Sequence, residues 1–373
     1  MAPEPHVCSG HVTALRLFDV AYAIDLGKVE SIWAGHAGTA SSRSRLSATP
    51  AKAVTFGVPP VALPLDALPL QLGPLAVVAA VTARIYDFGV VALALRVPAV
   101  ELSWPDYTAL LNAVDAHVGD GGDGRLWDGL LARVRTLLAD ALVRPTGSAI
   151  EEDYLIGTVH AFSETLTAAA LRDRVDLAPL LSGEQRALSD AARRDLLRQS
   201  FSYYADDLVV LTWDRAFIYE PRGDSDVADV LEVANAQLLE MRYYDELLDD
   251  ELPRMYGLVQ TTRRTATNIL APRRFANLAR RLYTLVAEVT ELTEKADNAL
   301  QVTEDVYLAR IYAAALGLFR VPTVAAAVDR KLSIIRDTYT ALYDEANSSR
   351  AGLMEFLILV LIAVEIVLAL VRA

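Results

Sequence analysis

A long apolar run near the C-terminal end constrains the fold of this chain more than any other feature. The run covers residues 353–371 and reads LMEFLILVLIAVEIVLALV, with two glutamates as its only charged residues. Its nineteen residues span about 29 Å as a helix, close to the ~30 Å hydrocarbon core of a bilayer. We therefore predict a membrane-spanning helix, with a core helix of a soluble domain as the alternative. The residues that mark this span are Leu353, Glu355, Phe356, Glu365 and Val371.

Glu365 lies inside the apolar run, where an ionised carboxylate is energetically unfavourable. It can be tolerated near the distal membrane interface, or it can form a hydrogen bond across the interface of a homo-oligomer. A proton or ion path is a third interpretation, although a single span encloses no route. Because little chain follows Val371 and the N-terminal residues lack a secretory signal, the pattern predicts a tail-anchored protein with a cytoplasmic body.

Composition and charge exclude several classes of protein. Hydrophobic residues make up 53% of the 373 residues and charged residues 22%, which excludes an intrinsically disordered chain. The single cysteine, Cys8, cannot form an internal disulfide. Lysine and arginine total 35 against 48 acidic residues, so the net charge is −13, which argues against direct nucleic-acid binding. The length is that of about two folded units.

The first 222 residues alternate between strand and helix patterns. Short apolar runs between residues 11 and 100 predict strands, with a hairpin turn at Asp87-Phe88-Gly89. Ser103 is positioned to cap a helix, and 154–162 reads as another strand. Two further strands are expected on either side of residues 213–215. We predict an α+β domain over residues 1–222, built on a mixed or antiparallel sheet.

Apolar residues in the next segment follow steps of three and four. Three runs, at residues 227–255, 275–299 and 328–346, keep this heptad-like spacing. Pro253 is expected to end or kink the first helix. We predict an antiparallel helical hairpin or bundle over residues 223–350, followed by the membrane span at 351–373. A protruding coiled-coil arm and an ordinary helical domain both fit the pattern.

Motifs that carry chemistry do not emerge from the sequence. It contains no GxSxG, HExxH, phosphate-binding loop or GxGxxG, and its five histidines lack metal-ligand spacing. We therefore assign no catalytic, cofactor-binding or metal-binding residue. An enzyme of unknown reaction in the α+β domain is the alternative function, and a closed pocket around His160, Asp206 or Asp207 would favour it.

Paired arginines suggest a docking surface in this otherwise acidic chain. Such pairs occur at residues 193–194, 263–264, 273–274 and 280–281, and the last three lie around the expected loop between the first two long helices. The clustered charge fits either ordinary exposed arginines or docking to lipid headgroups, RNA or an acidic protein. The candidate docking tip consists of Arg263, Arg264, Arg273, Arg274, Arg280 and Arg281.

Three segments resemble one family of proteins. They are ADDLVVLTWDRAFIYE at 205–220, DVLEVANAQLLEMRYYDELLDDEL at 229–252, and a tail with Met354-Glu355-Phe356 and Glu365. This family is named for yeast sporulation proteins "required for meiotic nuclear division", and its animal member is a mitochondrial inner-membrane protein linked to mitochondrial translation. The resemblance covers about residues 154–370. It implies a soluble α+β part, a helical hairpin and one C-terminal span, without established catalytic residues.

These observations together predict a non-enzymatic, tail-anchored membrane scaffold. It would self-associate through its helices and recruit a protein or ribosomal partner, with the lipid membrane as its other partner. Because the chain lacks an arginine-rich mitochondrial presequence, a prokaryotic plasma membrane is favoured over the mitochondrial inner membrane.

Overall fold

The computed structural model describes most of the chain. The described residues are 5–37, 42–43, 58–119, 122, 124–223, 226–264, 277, 280, 283–284, 286–287, 289–290 and 306–372. Contacts between residues divide the chain into two compact units. The first comprises Met1–Tyr243 and Lys295–Pro322, and the second comprises Tyr244–Glu294 and Thr323–Ala373. The predicted boundaries at 222/223 and 350/351 stay a prediction.

The first unit is built on a large mixed β-sheet. Its nine described strands lie in the order β3-β4-β5-β6-β1-β8-β11-β10-β9. All neighbouring strands are antiparallel except β8 and β11, which are parallel. The strands are β1 (Val7–Asp19), β2 (Ala21–Ile24), β3 (Ser42–Arg43), β4 (Val61–Leu72), β5 (Leu75–Ile85), β6 (Val90–Leu102), β7 (Leu142–Pro145), β8 (Glu151–Phe162), β9 (Gln199–Phe201), β10 (Leu208–Leu211) and β11 (Arg215–Tyr219). Strands β2 and β7 form a separate pair.

Helices are described in both units, from residue 26 to residue 372. They are α1 (Leu26–Ala37), α2 (Trp104–Val118), α3 (Gly124–Leu137), α4 (Ala168–Arg174), α5 (Ala178–Ser182), α6 (Asp190–Leu196), α7 (Val227–Arg264), α8 (Val306–Leu318) and α9 (Val321–Arg372). The predicted α+β class with a mixed sheet and several C-terminal helices is confirmed.

Turn and cap residues predicted from the sequence explain where several elements begin and end. Gly89 adopts φ 101° in the turn between β5 and β6, and a Cβ there would lie 1.8 Å from the carbonyl oxygen of Ala21. Only glycine fits this position, so the predicted hairpin turn is confirmed. Ser103 accepts a hydrogen bond from the amide of Asp106 and caps α2, as expected.

The central strand β1 is buried on both sides of the sheet. Val12, Ala14 and Phe18 belong to the main apolar core, whereas the alternate residues Leu15 and Leu17 are buried outside it. Helix α2 packs closely on the core face. A Cβ at Gly157 would lie 2.8 Å from Leu111 and 2.9 Å from the Tyr107 hydroxyl, so glycine permits this approach.

A buried polar cluster fixes the start of α7 to the sheet. Arg84 donates to Asp229 at 2.8 Å and forms an ion pair with Glu232 at 3.2 Å. The Tyr86 hydroxyl donates to Glu232 at 2.7 Å. Burial opposes the charging of Arg84, but the carboxylates of Glu232 and Asp229 raise its pKa well above the usual range. Burial raises the pKa of Glu232, and the positive charge of Arg84 compensates in part for the two carboxyl groups within the first unit.

The second unit contains the later part of α7 and most of α9. Lys331 forms ion pairs with Asp245 at 2.6 Å and with Asp249 at 2.7 Å. Three residues of the predicted third heptad run, Val328, Leu332 and Ile335, are buried as that spacing requires. Most of the second run, 275–299, lies outside the described residues.

Pro253 lies inside α7, which continues to Arg264. Of the two predicted outcomes, an end of the helix at Pro253 is therefore wrong, and a kink there stays a prediction. Proline removes one hydrogen bond from the helical ladder, but the remaining residues of this 38-residue helix continue the helical conformation on both sides of it.

A membrane-spanning helix must be long enough and apolar enough to cross the hydrocarbon core of a bilayer. Within the described residues, no helix taken singly satisfies both requirements. The consecutive segments Val306–Leu318 and Val321–Ala341 satisfy them only as a bent pair.

Candidate functional site

An arginine-lined cleft of ligand size lies in the described part of the first unit. Its volume is about 800 Å³, within the ~300–1,000 Å³ that small-molecule sites occupy. The lining comes from α4, the segment just before α5, α6 and the residues after it, and strands β9 and β10. The lining residues are Arg172, Leu177, Asp190, Arg193, Arg194, Leu197, Arg198, Ser200 and Val210.

The sequence around α6 explains why several of these residues face the same space. Ser189 caps the helix by accepting a hydrogen bond from the amide of Ala192 at 3.3 Å. Asp190, Arg193, Arg194 and Leu197 follow at positions i, i+3, i+4 and i+7, which lie on one helical face. Arginines in the last turn also interact favourably with the negative end of the helix dipole.

Arg193 is held by an internal ion pair. Its two terminal nitrogens donate to both carboxylate oxygens of Asp176, at 2.8 and 3.0 Å. Asp176 also accepts a hydrogen bond from the amide of Ala178, at the start of α5. These hydrogen bonds raise the pKa of Arg193, so it stays charged. Arg193 therefore fixes α6 against the segment before α5 and has limited capacity for a ligand.

The other three arginines are available to a ligand. Within the described part of the chain, Arg172, Arg194 and Arg198 have no hydrogen-bond or ion-pair partner, and all three are exposed. The lining holds four arginines and one aspartate, and Asp176 pairs with one of the arginines, so the charge of the cleft is 4 − 2 = +2 in a chain of net charge −13. Such a local reversal of charge attracts anions.

The cleft combines these charges with an apolar wall. Leu177 and Val210 are buried, and Leu197 is partly buried. The Ser200 hydroxyl donates to the carbonyl oxygen of Leu197 at 2.7 Å, which connects β9 to the end of α6. Guanidinium groups bind phosphate and carboxylate through paired hydrogen bonds. The arrangement can therefore hold an anionic group beside a small apolar body.

The residues of the predicted membrane span lie on helix α9. Glu355 and Glu365 are exposed, whereas the side chains of Leu353, Phe356 and Val371 lie outside the described set. The nine residues 358–366, which include Glu365, are all exposed. Seven of the nine carry a large apolar side chain, and these are Ile358, Leu359, Val360, Leu361, Ile362, Val364 and Ile366.

The predicted docking tip is only partly described. Arg263 and Arg264 form the end of α7, and nothing is described of their side chains. Arg280 is helical and exposed, whereas Arg273, Arg274 and Arg281 lie outside the described residues. The docking surface at this tip stays a prediction.

The residues named for an enzyme pocket do not line the cleft. Asp207 accepts hydrogen bonds from the amides of Tyr203 and Tyr204, at 2.7 and 2.9 Å, and so stabilises a turn. His160 lies beside His11 on the sheet, with 5.3 Å between the ring centroids. His160, Asp206 and Asp207 are not among the residues that line the cleft.

The arginine cleft was only partly visible in the sequence. Arg193 and Arg194 stand out as an adjacent pair, and their i, i+3, i+4 relation to Asp190 was a usable signal. Arg172 comes from another helix, however, and Arg198 follows the end of α6. Only the packing of α4 and α6 near β9 and β10 brings the four together.

The fold and cleft define an α+β protein with a basic, ligand-sized cavity. The family model described as "Uncharacterized protein MJ0711, N-terminal domain" matches residues 9–226, which is more than half of the chain, and the chain belongs to this family. One relative is an uncharacterized protein of Methanocaldococcus jannaschii, 25% identical over 218 residues. That match covers 58% of this chain and 66% of the relative. No solved structure gives a significant match.

Proposed function

We propose that this protein is a non-enzymatic, membrane-anchored scaffold. The observation that carries the proposal is the exposed apolar surface of α9 at residues 358–366. At 100° per residue, nine consecutive positions cover the whole circumference of the helix. A protein partner that packs on one side would therefore leave apolar side chains exposed to water on the other side. Lipid provides apolar surroundings in every direction.

The size of this surface supports the proposal. The seven large apolar side chains of residues 358–366 are each between 42% and 68% exposed. Complete burial of such a side chain contributes about 1.5–3 kcal/mol, so the remaining half contributes about 1 kcal/mol each and about 7 kcal/mol in total. This free energy favours insertion of the 353–371 helix into a bilayer. Glu365 would then form a hydrogen bond within a homo-oligomer or lie near the membrane interface.

Deletion of residues 352–373 is expected to move the protein from the membrane to the soluble fraction. The full chain should resist extraction by alkaline carbonate and should float with liposomes, whereas the deletion variant should do neither. A matched control replaces Ile358, Leu361 and Ile366 together by leucine or isoleucine, which preserves apolarity and should preserve flotation. Unchanged membrane association of the deletion variant would refute the anchor.

The arginine-lined cleft gives this scaffold a recruitment site. We propose that Arg172, Arg194 and Arg198 bind the anionic group of a ligand or partner, since these three have exposed guanidinium groups and share one cavity. This site differs from the predicted tip at residues 263–281. An enzyme of unknown reaction in the α+β unit stays the alternative prediction.

Replacing Arg194 by alanine is expected to weaken anion binding by about tenfold or more. A hydrogen bond to a charged group contributes about 1.5–3 kcal/mol, and tenfold corresponds to about 1.4 kcal/mol. Isothermal titration with inorganic pyrophosphate and with citrate would measure the loss and distinguish phosphate from carboxylate. Arg133→Ala, at an exposed ion pair with Asp66, is the control. Equal affinities for Arg194→Ala and the wild-type chain would contradict the proposed site.

The likeness to the yeast sporulation proteins remains a prediction, and so does a role in translation. The matching family model covers residues 9–226 and its description names neither. A pull-down from solubilised membranes is the direct way to identify a recruited partner. Recovery of ribosomal proteins with the full chain but not with the 352–373 deletion would support the translation role.

A further inference from the structure

Three different metal-ligand side chains meet at one end of β1 and β6. They are His6, just before β1, Cys8 within β1, and Glu101 near the end of β6. Their ligand atoms all lie within 4.8 Å of one another. The Nδ1 atom of His6 is 3.7 Å from the carboxylate of Glu101. This cluster is separate from the arginine cleft and shares no residue with it.

The strand register brings the three side chains together. Val7 pairs with Leu102 and Ser9 pairs with Val100 in antiparallel β1 and β6, so Cys8 lies opposite Glu101. Residues directly opposite on neighbouring strands have Cβ atoms about 4.5–5.5 Å apart. His6 precedes Cys8 by two residues, which places it on the same face of the extended chain.

A strained backbone directs Glu101 towards this face. Glu101 has φ 53°, a left-handed conformation that is unfavourable for a residue with a Cβ. Ala99 is fully buried and Leu102 packs against the core, whereas Val100 is 60% exposed and the side chain of Glu101 is 68% exposed. Side chains along a strand alternate between the two faces of the sheet, so residue 101 would face the core, as Ala99 does, if the strand were regular. The kink places its carboxylate outside, beside Cys8.

Neighbouring features also define the positions of His6 and Cys8. The amide of Ser163 donates to the carbonyl oxygen of His6 at 2.8 Å, and the His6 amide donates to the Ser163 hydroxyl at 3.3 Å. The pairing of β1 with β8 is irregular between Val7 and Gly10. Such bulges change the direction of side chains and are common beside functional sites.

We propose that His6, Cys8 and Glu101 bind one divalent transition-metal ion, with Zn²⁺ as the best fit. An imidazole nitrogen, a thiolate and a carboxylate form the ligand set that Zn²⁺ accepts, whereas Mg²⁺ and Ca²⁺ prefer oxygen ligands alone. Three protein ligands leave one tetrahedral position for water or another ligand. The charges of the thiolate and carboxylate balance those of the ion, and binding releases the thiol proton to solvent.

The histidine spacing in the sequence did not predict this site. Two ligands lie within three residues of each other, and the third comes from a strand more than ninety residues later. A His-x-Cys pair alone is a weak pattern. His6 and Cys8 also precede the segment that matches the family model, which begins at residue 9.

The single cysteine makes the test direct. Purified full chain in detergent, first treated with a chelator, should bind one Zn²⁺ per chain in competition with a fluorescent zinc indicator. Bound Zn²⁺ should slow alkylation of Cys8, and Co²⁺ should produce the charge-transfer absorption of a cobalt–thiolate bond. His6→Gln and Glu101→Gln should each weaken binding by about 100-fold or more, since even outer ligand partners contribute about 10- to 100-fold.

Control variants separate a metal site from other arrangements. Cys8→Ser should abolish the cobalt–thiolate absorption, whereas the exposed Glu184→Gln should leave every measurement unchanged. If Glu101→Gln fails to fold, Glu101→Gly removes both the carboxylate and the backbone strain and should still lose Zn²⁺ affinity. Unchanged Zn²⁺ affinity in the His6 and Glu101 variants would show binding by Cys8 alone and overturn the site. Alkylation of Cys8 at the same rate with and without Zn²⁺ would overturn it equally, leaving an ordinary His6–Glu101 ion pair.

Discussion

Arg215→Met is expected to destabilise the first unit by about 3 kcal/mol. Arg215 is 7% exposed, and its guanidinium donates to Asn112 at 2.7 Å and to the carbonyl oxygen of Leu180 at 2.9 Å. It also donates to the carboxylate of Asp115 at 2.5 Å. Removing one partner from a buried ion pair usually costs about 3–5 kcal/mol, and the partial exposure of Asp115 places this case at the lower end.

The position of Arg215 explains why this effect should be large. It lies at the start of β11 and connects α2 and α5 to the sheet. Gly183 adopts φ 68°, and a Cβ there would lie 2.6 Å from the guanidinium, so the glycine leaves space for the arginine. Methionine keeps much of the apolar stem but leaves Asn112 and Asp115 without their donor.

Urea unfolding followed by circular dichroism would measure the change for Arg215→Met. Arg133→Met is the matched control in the same unit, because Arg133 is 58% exposed and pairs with the exposed Asp66. The free energy of unfolding of that control should fall by less than about 1 kcal/mol. A similarly small loss for Arg215→Met would contradict a structural role for the buried arginine.

Local signals in the sequence predicted much of the α+β unit. The glycine turn at Gly89, the Ser103 cap and the strand at Tyr154 depend on neighbouring residues, and each has the predicted structure. The pairing of strands that are distant in the sequence was harder to predict. The parallel contact of β8 with β11 brings together strands separated by three short helices, and no local pattern specifies which strands become neighbours.

The candidate sites were harder to predict for the same reason. Arg193 and Arg194 share a helix, but Arg172 joins them only through the packing of another helix. The metal cluster depends on the kink at Glu101, and a glutamate in a strand pattern gives no sign of a left-handed conformation. The apolar run at residues 353–371 is a local property of the sequence, and its assignment as a membrane span stays a prediction.

Acid is expected to destabilise the first unit through His11. Burial, together with the nearby charge of Arg96 and with His160, lowers the pKa of His11 to about 3. The unfolded chain has a histidine pKa near ~6.5, so the unfolded state takes up a proton first as the pH falls. The stabilising contribution is fully present above about pH 6.5 and decreases by up to about 1.4 kcal/mol per pH unit towards pH 3.

Asp19 changes the stability with pH in the opposite direction, so its contribution must be distinguished from that of His11. Burial raises its pKa to about 6, against a hydrogen bond from Thr146 and the charge of Arg135. Its folded form therefore binds a proton more readily than the unfolded chain, and folding gains stability as the pH falls from about 6 to about 4. The two contributions partly cancel in the wild-type chain, so the slope of its stability with pH alone does not identify His11.

A His11→Gln variant isolates the histidine contribution. The variant keeps Asp19, so the difference in unfolding free energy between it and the wild-type chain should change by up to about 2–3 kcal/mol between pH 6.5 and 4.5. Urea titrations at both pH values would measure that difference. His117→Gln, in the last turn of α2, is the matched control for the replacement of a histidine elsewhere in the same unit. If the difference in unfolding free energy between the variant and the wild-type chain stays constant across this range, His11 accepts a proton equally easily in the folded and unfolded states. That result would contradict the lowered pKa that burial, Arg96 and His160 impose on His11.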